Sequence, residues 1–410
     1  MKDTKEIISE EQIRELASEF ARSGKLTGEG GILTPLLKRV LEVSLEGEAE
    51  HHVACTRKNG NRRNGYGSKS LKTSMGDIPL RTPRDRDGSF TPVTVPKRGS
   101  NLTNEFEEKI ISLYARGMSY RDIRAQMAEI YGTEISTGTL SAITDKVWPE
   151  VEQWRKRPLE ALYPVIWLDA MYFKVRDQED QKVSTKAVYS ILGVNTCGQK
   201  EVLGFYIGQH ESSSFWRGVL AELKDRGVKD ILIACIDGLK GFPEAIENEF
   251  PDTEVQLCVV HQIRNTIKYL SYKEVKPFLK DLKKVYTALD SGEARLELDN
   301  LGNQWGSKYQ RPLKGWHEQF EELTAFMKYP PELRRIIYTT NPIESFHRQV
   351  RKVTKTKGSF TSEKAVYKQI YLVCRNANHK WSGTMYNWNK VRLALADYYN
   401  NRFTKHDTLI

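Results

Sequence analysis

The sequence contains 410 residues, 39% of them hydrophobic, and its formal net charge at neutral pH is +10. This length allows two or three domains with at least one sizeable core, which excludes a chain that is disordered throughout. No stretch has the length of a membrane span, the N-terminus lacks the apolar run of a signal peptide, and the 5 cysteines are widely spread. We therefore expect a cytoplasmic protein with reduced thiols and no membrane partner.

The positive charge is concentrated in two segments. Residues 51–100 and residues 345–380 each contain eight more basic than acidic residues, and the rest of the chain is net negative. A generally solvated surface would spread its charges more evenly. The concentration favours contact with a polyanion, and nucleic acid in particular.

Residues 1–55 are predicted to be helical. A short amphipathic helix is expected over residues 9–22, with Ser9 as a candidate N-cap. A second helix, over residues 33–45, is too apolar to stand alone. It needs a partner, either the first helix or another copy of the protein, so this segment is a candidate for dimerisation.

Residues 56–100 are rich in Gly, Asn and Arg, and they predict a basic hairpin or linker that contacts DNA. Residues 71–74 and 78–82 have strand composition and flank a turn at residues 75–77. A solvated linker is the alternative, because the signal is one of composition. The arginines expected to contact DNA are Arg57, Arg62, Arg63, Arg84 and Arg86.

Residues 101–150 predict three short helices, with Thr103, Ser119 and Ser136 as their N-caps. Two helices joined by a turn that contains Gly occur in helix-turn-helix DNA-binding domains, although three-helix packing also occurs without DNA. Arg121 and Arg124 are the candidate DNA contacts here.

Residues 160–262 alternate between predicted strands and helices. The expected strands cover residues 165–175, 187–194, 202–207, 231–236 and 255–260, and two helices follow the third and fourth of them. This order indicates an α/β fold with a mixed sheet. Residues 263–338 then predict an all-helical insertion, and residues 339–410 predict the final helices of the core with a basic C-terminal region.

Three acids are the candidate catalytic and metal-binding residues: Asp169, Asp237 and Glu344. Asp169 interrupts a buried apolar strand and therefore requires a cation, although an ordinary salt bridge would also supply one. Asp237 directly follows the fourth predicted strand, so it lies close to Asp169 if the two strands are neighbours. Glu344 has a simpler alternative role, since it stands three residues after Asn341 and could complete a helix cap.

Basic residues follow Glu344 at helical spacing and are expected to hold the DNA backbone: His347, Arg348, Arg351 and Lys355, with Lys357 beyond them. Three carboxylates that share divalent ions suit phosphodiester cleavage and transfer. Mg²⁺ is the expected ion because it prefers oxygen ligands, and Mn²⁺ is the expected substitute.

Cys258 and His261 form a single Cys-x-x-His pair. This pair is two ligands short of a structural zinc site, so no zinc is expected. His261 is instead a candidate contact for a phosphate or for the scissile strand, and a buried, hydrogen-bonded histidine is the alternative.

The order of several short motifs closely resembles the bacterial members of the Mutator-type transposase family. The motifs are Asp169, Asp237-Gly238, Cys258-Val259-Val260-His261 and the run from Thr339 to Ser345, together with Arg63-Asn64-Gly65-Tyr66 and the run from Pro83 to Phe90. The resemblance covers almost the whole chain and implies an RNase H-like domain with a DDE triad, interrupted by a helical insertion.

The same resemblance implies an enzyme that binds the terminal inverted repeats of an insertion sequence, cuts a DNA strand and joins the 3′-hydroxyl to target DNA. A nucleoid-associated location and a homodimer are expected for it, because two DNA ends must be joined in one complex. Two other functions remain open from the sequence: a nuclease or junction resolvase of the same fold, and a DNA-binding regulator derived from a transposase.

Overall fold

The computed structural model describes residues 10–26, 31–57, 60–73, 76–95, 104–177, 179, 181–208, 213–238, 241–338, 341–381 and 383–405. The chain divides into two units, one ending at Trp148 and the other beginning at Pro149. The predicted caps Ser9 and Thr103 lie outside the described residues.

The N-terminal unit contains five helices and one hairpin among its described residues. In chain order they are α1 (Glu10–Ser23), α2 (Leu33–Thr56), β1 (Arg63–Thr73), β2 (Gly76–Asp85), α3 (Asn104–Ala115), α4 (Tyr120–Tyr131) and α5 (Thr137–Asp145). A further helix, α6 (Trp148–Arg155), begins at the boundary between the units. The predicted hairpin and the three predicted helices that follow it are therefore confirmed.

The apolar helix α2 packs on the hairpin. The partners predicted from the sequence were the first helix or another copy of the protein. Leu45 of α2 is fully buried in a cluster with Leu71, Ile78 and Leu80 of the two strands. Alternate residues of the hairpin point to one face, so its apolar residues form a surface that covers the helix. Val40 and Val43 of α2 remain more than half exposed.

Helices α4 and α5 begin at the predicted serines. The Ser119 hydroxyl accepts a hydrogen bond from the backbone N–H of Asp122, whose side chain accepts one from the backbone N–H of Ser119, completing a capping box. The Ser136 hydroxyl accepts from the backbone N–H of Thr139. Both helix starts are thus set by local sequence.

The second unit is built on a five-stranded mixed sheet in the order β5-β4-β3-β6-β7. Its strands are β3 (Leu162–Arg176), β4 (Val183–Val194), β5 (Lys200–Gly208), β6 (Asp230–Ile236) and β7 (Glu254–Leu257). The central strand β3 pairs antiparallel with β4 and parallel with β6. All five predicted strands are present, and the mixed α/β class is confirmed.

One predicted strand boundary is wrong. The fifth strand was expected over residues 255–260, but β7 ends at Leu257 and a helix begins at Val259, with Cys258 at its N-cap position. A short apolar run has the same composition in a strand as at the buried start of a helix, so composition does not separate them. The consequence is that His261 lies in the first turn of a helix.

The other described elements of the second unit are helices. They are α7 (Ser213–Asp225), α8 (Phe242–Glu249), α9 (Val259–Ile267), α10 (Tyr272–Tyr286), α11 (Ser291–Glu318), α12 (Phe320–Thr324), α13 (Pro331–Ile337), α14 (Asn341–Thr354), α15 (Glu363–Lys380) and α16 (Trp388–Thr404), with a 3-10 turn at Ala325–Lys328. Between residues 263 and 338 the described chain is without strands, as predicted. None of the helices described is both long and apolar enough to cross a membrane.

Candidate active site

Asp169 and Asp237 lie on neighbouring strands of the sheet. Strand β3 pairs in parallel with β6 so that Leu168 is opposite Ile236, and each aspartate is the next residue in its strand direction. Parallel strands that are aligned in this way place the two carboxylates side by side. The predicted proximity of Asp169 and Asp237 is therefore confirmed.

His261 completes a group of three side chains that could hold a metal ion. One ligand atom from each of Asp169, Asp237 and His261 lies within 4.8 Å of the others, and no second group of this kind occurs among the described residues. The His261 Nδ1 atom is 3.6 Å from Asp237 Oδ1. The first turn of α9 thus brings an imidazole to the two acids.

Asp169 is largely buried, yet its environment favours the ionised form. Burial alone would raise the pKa of this carboxyl, but the adjacent His347, the charge of His261 and the backbone N–H of Ala170 outweigh burial and lower the pKa below its usual value. His347 Nδ1 is 3.2 Å from Asp169 Oδ2. Asp169 is therefore a carboxylate at neutral pH.

The pKa of His261 is raised to about 9. Burial acts to lower this pKa, but the neighbouring Cys258, Asp237 and Asp169 outweigh it by favouring the imidazolium. Metal binding requires a neutral imidazole, so an ion at this position would displace the proton.

Several buried polar atoms around the acids lack hydrogen bonds within the described part of the chain. They are Nδ1 of His261, both ring nitrogens of His347, and the hydroxyl of Ser190, which is opposite Asp169 on β4. The His347 nitrogen is close to Asp169 but is not aligned for a hydrogen bond. Two carboxylates, an imidazole and unsatisfied polar atoms are a donor set that fits a divalent cation.

Glu344 lies beside this group rather than within it. It is in the first turn of α14, three residues before His347, and its Oε1 accepts a hydrogen bond from Arg264 Nη1 at 2.6 Å. Arg264 is itself three residues after His261 on α9. The predicted cap from Asn341 involves a side chain outside the described set. Glu344 thus contacts Arg264 of α9, and His347 of the same helix as Glu344 lies next to Asp169.

The predicted basic stripe on α14 is divided by burial. Arg348, Arg351 and Lys355 are exposed, but His347 is 1% exposed and faces Asp169. The expectation that His347 contacts DNA is therefore wrong for this structure, because the apolar face of the helix turns its ring inward.

Lys357 also departs from the predicted surface. Its ammonium group donates to Oε1 of Gln369 and is partly buried. Burial, and then the charge of Lys368, lower the Lys357 pKa to about 8. Its position suits a packing role more than a solvent-facing DNA contact.

Most of the predicted DNA-contacting arginines of the N-terminal unit are exposed, namely Arg57, Arg62, Arg84, Arg86, Arg121 and Arg124. Arg63 differs, since its guanidinium is 2.7 Å from Oε2 of Glu46 and is partly buried. Helix α5 contains neither Lys nor Arg, so the exposed arginines of the three-helix segment are Arg121 and Arg124 on α4 and Arg116 directly after α3.

One residue beside the acids was missed by the sequence analysis, and another was misplaced. Arg264 was not singled out, although its spacing of one turn after His261 was a usable signal. His347 was assigned to the exposed stripe, although it adjoins the apolar positions Ile343, Phe346 and Val350 of the same helix.

Comparison with known proteins identifies the family. The family model described as "Transposase, Mutator family" matches residues 8–384. The chain belongs to the Mutator family of transposases. This transposase is 40% identical over 381 residues to a probable transposase for insertion sequence element ISRM3-like from Sinorhizobium fredii, covering 92% of this chain and 94% of the relative. It has the same identity and coverage with the transposase for ISRM3 from Rhizobium meliloti.

A solved structure, the Drosophila P element transposase strand transfer complex, aligns with 75% of the transposase and 83% of that chain, at 11% identity and a TM-score of 0.33. The family assignment makes the chain a DDE-type enzyme that acts on insertion sequences and binds DNA. Such enzymes use a divalent metal, and the group of Asp169, Asp237 and His261 is the place in the described chain that fits one.

Proposed function

We propose that this transposase binds the terminal inverted repeats of its insertion sequence, cuts a DNA strand at each end and joins the released 3′-hydroxyl to target DNA. The observation that carries the proposal is the side-by-side placement of Asp169 and Asp237 on adjacent parallel strands, with His261 within ligand distance. A binding-only protein would gain nothing from such a group of acids.

Asp169, Asp237 and Glu344 are assigned as the catalytic triad and as the ligands of Mg²⁺, for which Mn²⁺ substitutes. A bound divalent ion supplies an activated oxygen nucleophile and neutralises charge on the reacting phosphate. His347 is buried against the Asp169 carboxylate, with Nδ1 3.2 Å from Oδ2. Arg264 balances the charge of Glu344, which lies one helical turn before His347 on α14.

The catalytic domain is proposed to be RNase H-like. Supporting features are the order of the strands, the antiparallel β3, β4 and β5 followed by the parallel β6 and β7, and the first acid on the central strand. A long helical segment separates Asp237 from Glu344 in sequence. We divide the domain accordingly into residues 160–262 and 339–410, with an insertion over residues 263–338.

DNA recognition is assigned to two of the three N-terminal segments. Residues 56–100 and 101–150 supply the hairpin and the helix-turn-helix-like helices, and their exposed arginines suit a phosphate backbone. Residues 1–55 are proposed to contribute to a homodimer, since Val40 and Val43 leave apolar surface on α2 outside the hairpin contact.

The test is incubation of the protein with labelled inverted-repeat ends, target DNA and Mg²⁺. Joined products support the transposase, hydrolysis alone would indicate a nuclease or resolvase, and a shifted band alone would indicate a regulator. Asp169→Ala, Asp237→Ala and Glu344→Ala are each expected to abolish cleavage while end binding remains nearly intact, because they remove metal ligands and leave the basic surfaces.

Glu247→Gln is the matched control, since Glu247 is an exposed acid on α8. It should cleave and join at the wild-type rate. Strand transfer retained by one of the alanine variants would remove that residue from the triad.

A further inference from the structure

We propose that the groove between α9 and α11 is a nucleotide-binding subsite that holds one unpaired nucleotide of the DNA strand beside the catalytic acids. This proposal rests on the proposed DNA-cleaving function and adds a second binding site for its substrate. The groove has a volume of about 350 Å³ and is separate from the group of Asp169, Asp237 and His261.

Helix α9 connects the groove to the active site. His261 and Arg264 of this helix face the acids, whereas Gln262, Asn265 and Tyr269 line the groove. On the opposite wall, Gln319 reaches back toward the sheet. Its Nε2 lies 3.9 Å from the point where a Cβ on Gly238 would stand, next to Asp237. A strand whose phosphate is at the acids could therefore place a neighbouring nucleotide in the groove.

The walls of the groove are fixed by buried contacts. Trp316 of α11 donates from Nε1 to the Thr266 hydroxyl of α9 at 2.9 Å, and both residues are buried. The Thr266 hydroxyl donates in turn to the backbone carbonyl of Gln262 at 2.8 Å. Gly315 keeps the helices close, because a Cβ there would lie 3.0 Å from the Gln262 amide. The subsite is thus formed before a ligand arrives.

The amide side chains of the groove suit the edge of a nucleobase. Gln262, Asn265 and Gln319 each carry both donors and an acceptor. Lys268 donates a hydrogen bond to Oδ1 of Asn265 at 2.8 Å, which orients that amide so that its NH₂ group points away from Lys268. Asn and Gln amides bind base edges through paired hydrogen bonds. An apolar or purely anionic ligand would not use this set.

Tyr269 and Arg311 suit the remaining parts of a nucleotide. The Tyr269 ring is 47% exposed, and the Arg311 guanidinium lies 5.0 Å from its centroid. An exposed aromatic face stacks on a base, and the adjacent guanidinium attracts a phosphate. The other cation of the α11 wall, Lys314, is 3.3 Å from Glu318 in an exposed ion pair. Arg311 is the cation of this wall that lies against the Tyr269 ring.

The size of the groove selects an unpaired nucleotide. A site of this volume is at the lower end of the range for small-molecule pockets. It has room for one nucleotide but not for a base pair, so a base must leave the duplex to enter it.

The test measures cleavage of inverted-repeat ends that carry a single abasic nucleotide at successive positions around the cleavage site. On intact ends, Tyr269→Ala should be at least about tenfold slower than wild type, because a stacked base is lost. Tyr269→Phe should keep the wild-type rate. Tyr272→Ala should also keep it, since Tyr272 is 94% exposed and lies outside the groove.

The deciding result is whether the effects of the abasic nucleotide and of Tyr269→Ala on the cleavage rate combine. At one position an abasic nucleotide should slow the wild type by a similar factor while slowing Tyr269→Ala no further, because both changes remove the same contact. Asn265→Ala, an exposed substitution, should show the same behaviour at the same position and serves if Tyr269→Ala yields little folded protein. If the wild type cleaves and the effects of the abasic nucleotide and of the substitution multiply at every position, the proposed subsite is wrong but the proposed function stands. A wild type that cleaves no repeat end would overturn the proposed function and the subsite with it.

Discussion

Arg264 of α9 donates a hydrogen bond across 2.6 Å to Glu344 of α14, joining two helices that are separated in sequence by the long helical segment. The contact places a cation next to the third acid of the proposed triad. Its charge also acts on Asp169, as one of the interactions that raise the Arg264 pKa, after the hydrogen bond to Glu344. If Glu344 is a metal ligand as proposed, Arg264 and the metal ion would compete for its carboxylate.

The first prediction concerns this competition. Arg264→Gln should tighten Mn²⁺ binding by about two- to fivefold, since one partly exposed ion pair is removed from the acids. Isothermal titration calorimetry of the DNA-free protein measures the affinity. Lys268→Gln is the matched control, because Lys268 contacts Asn265 instead of Glu344. Weaker Mn²⁺ binding in Arg264→Gln would show that the arginine supports the metal site.

The second prediction concerns His347, which is buried against Asp169. His347→Ala should lower the free energy of unfolding by about 2 to 4 kcal/mol, because it leaves a buried carboxylate without its partner and opens a cavity. Combining it with Asp169→Asn should cost less than the sum of the single changes. Denaturant unfolding of metal-free protein measures each value.

His317→Ala provides the control, since His317 is exposed on α11. It should change stability by less than about 0.5 kcal/mol. Strict additivity between His347→Ala and Asp169→Asn would mean that the two side chains do not interact energetically.

The third prediction concerns Arg351, an exposed residue seven positions after Glu344 and so about 10 Å further along α14 on the same side. We expect it to hold a phosphate next to the scissile bond. Arg351→Ala should slow cleavage and joining much more than it weakens end binding. Arg351→Lys should recover part of the rate, because a point charge also holds a phosphate.

Lys352→Ala tests whether position matters, since Lys352 is the neighbouring exposed cation and points about 100° away around the helix. Rates measured on pre-cut and uncut ends separate joining from cleavage. Wild-type rates for Arg351→Ala on both substrates would show that Arg351 is a surface residue without a role in holding the DNA.

The fourth prediction separates two arginines of the hairpin. Arg84 is exposed, whereas Arg63 is paired with Glu46. Arg84→Gln should reduce the steepness of log K against log salt for end binding by about 0.9, the contribution of one phosphate contact. Arg63→Gln should leave the slope unchanged. A loss of slope in Arg63→Gln would mean that the Glu46 pair opens on DNA.

The fifth prediction concerns pH and Asp85, a buried acid at the end of β2. Burial acts to raise the Asp85 pKa, but hydrogen bonds from Ser89 and Asn61 outweigh it and hold the pKa well below its usual range. A lowered folded-state pKa contributes stability above the unfolded pKa of about 3.9, and this stability is lost as the pH falls through the folded value.

Asp85→Asn should therefore lower the melting temperature at pH 7, because a neutral amide oxygen accepts the hydrogen bonds of Ser89 and Asn61 more weakly than a carboxylate oxygen does. Below about pH 3 the difference between variant and wild type should shrink. Asp87→Asn, at a neighbouring exposed acid, should match the wild type at both pH values. If the difference in melting temperature between Asp85→Asn and the wild type stays constant across this pH range, the Asp85 charge is not its cause.

The sequence by itself determined the buried strands of the sheet and showed that Asp169 lies within one of them and Asp237 directly after another. Apolar segments around Asp169 and before Asp237 were long and uninterrupted, so their strands had to be buried, but that the two strands are parallel neighbours was learned from the structure. The capping serines 119 and 136 and the hairpin were equally readable, because each depends on contacts within a few residues.

Only the tertiary structure decided the surroundings of those acids. Whether His347 faces solvent or Asp169 depends on how α14 is rotated against β3, and helical spacing alone leaves that rotation open. The bond between Arg264 and Glu344 joins residues whose helices are distant in sequence. Likewise, the cover of the apolar helix α2 is a hairpin surface that exists only after both strands have paired. Packing decides such contacts, because the free energy of burial depends on which faces meet and not on the composition of either face alone.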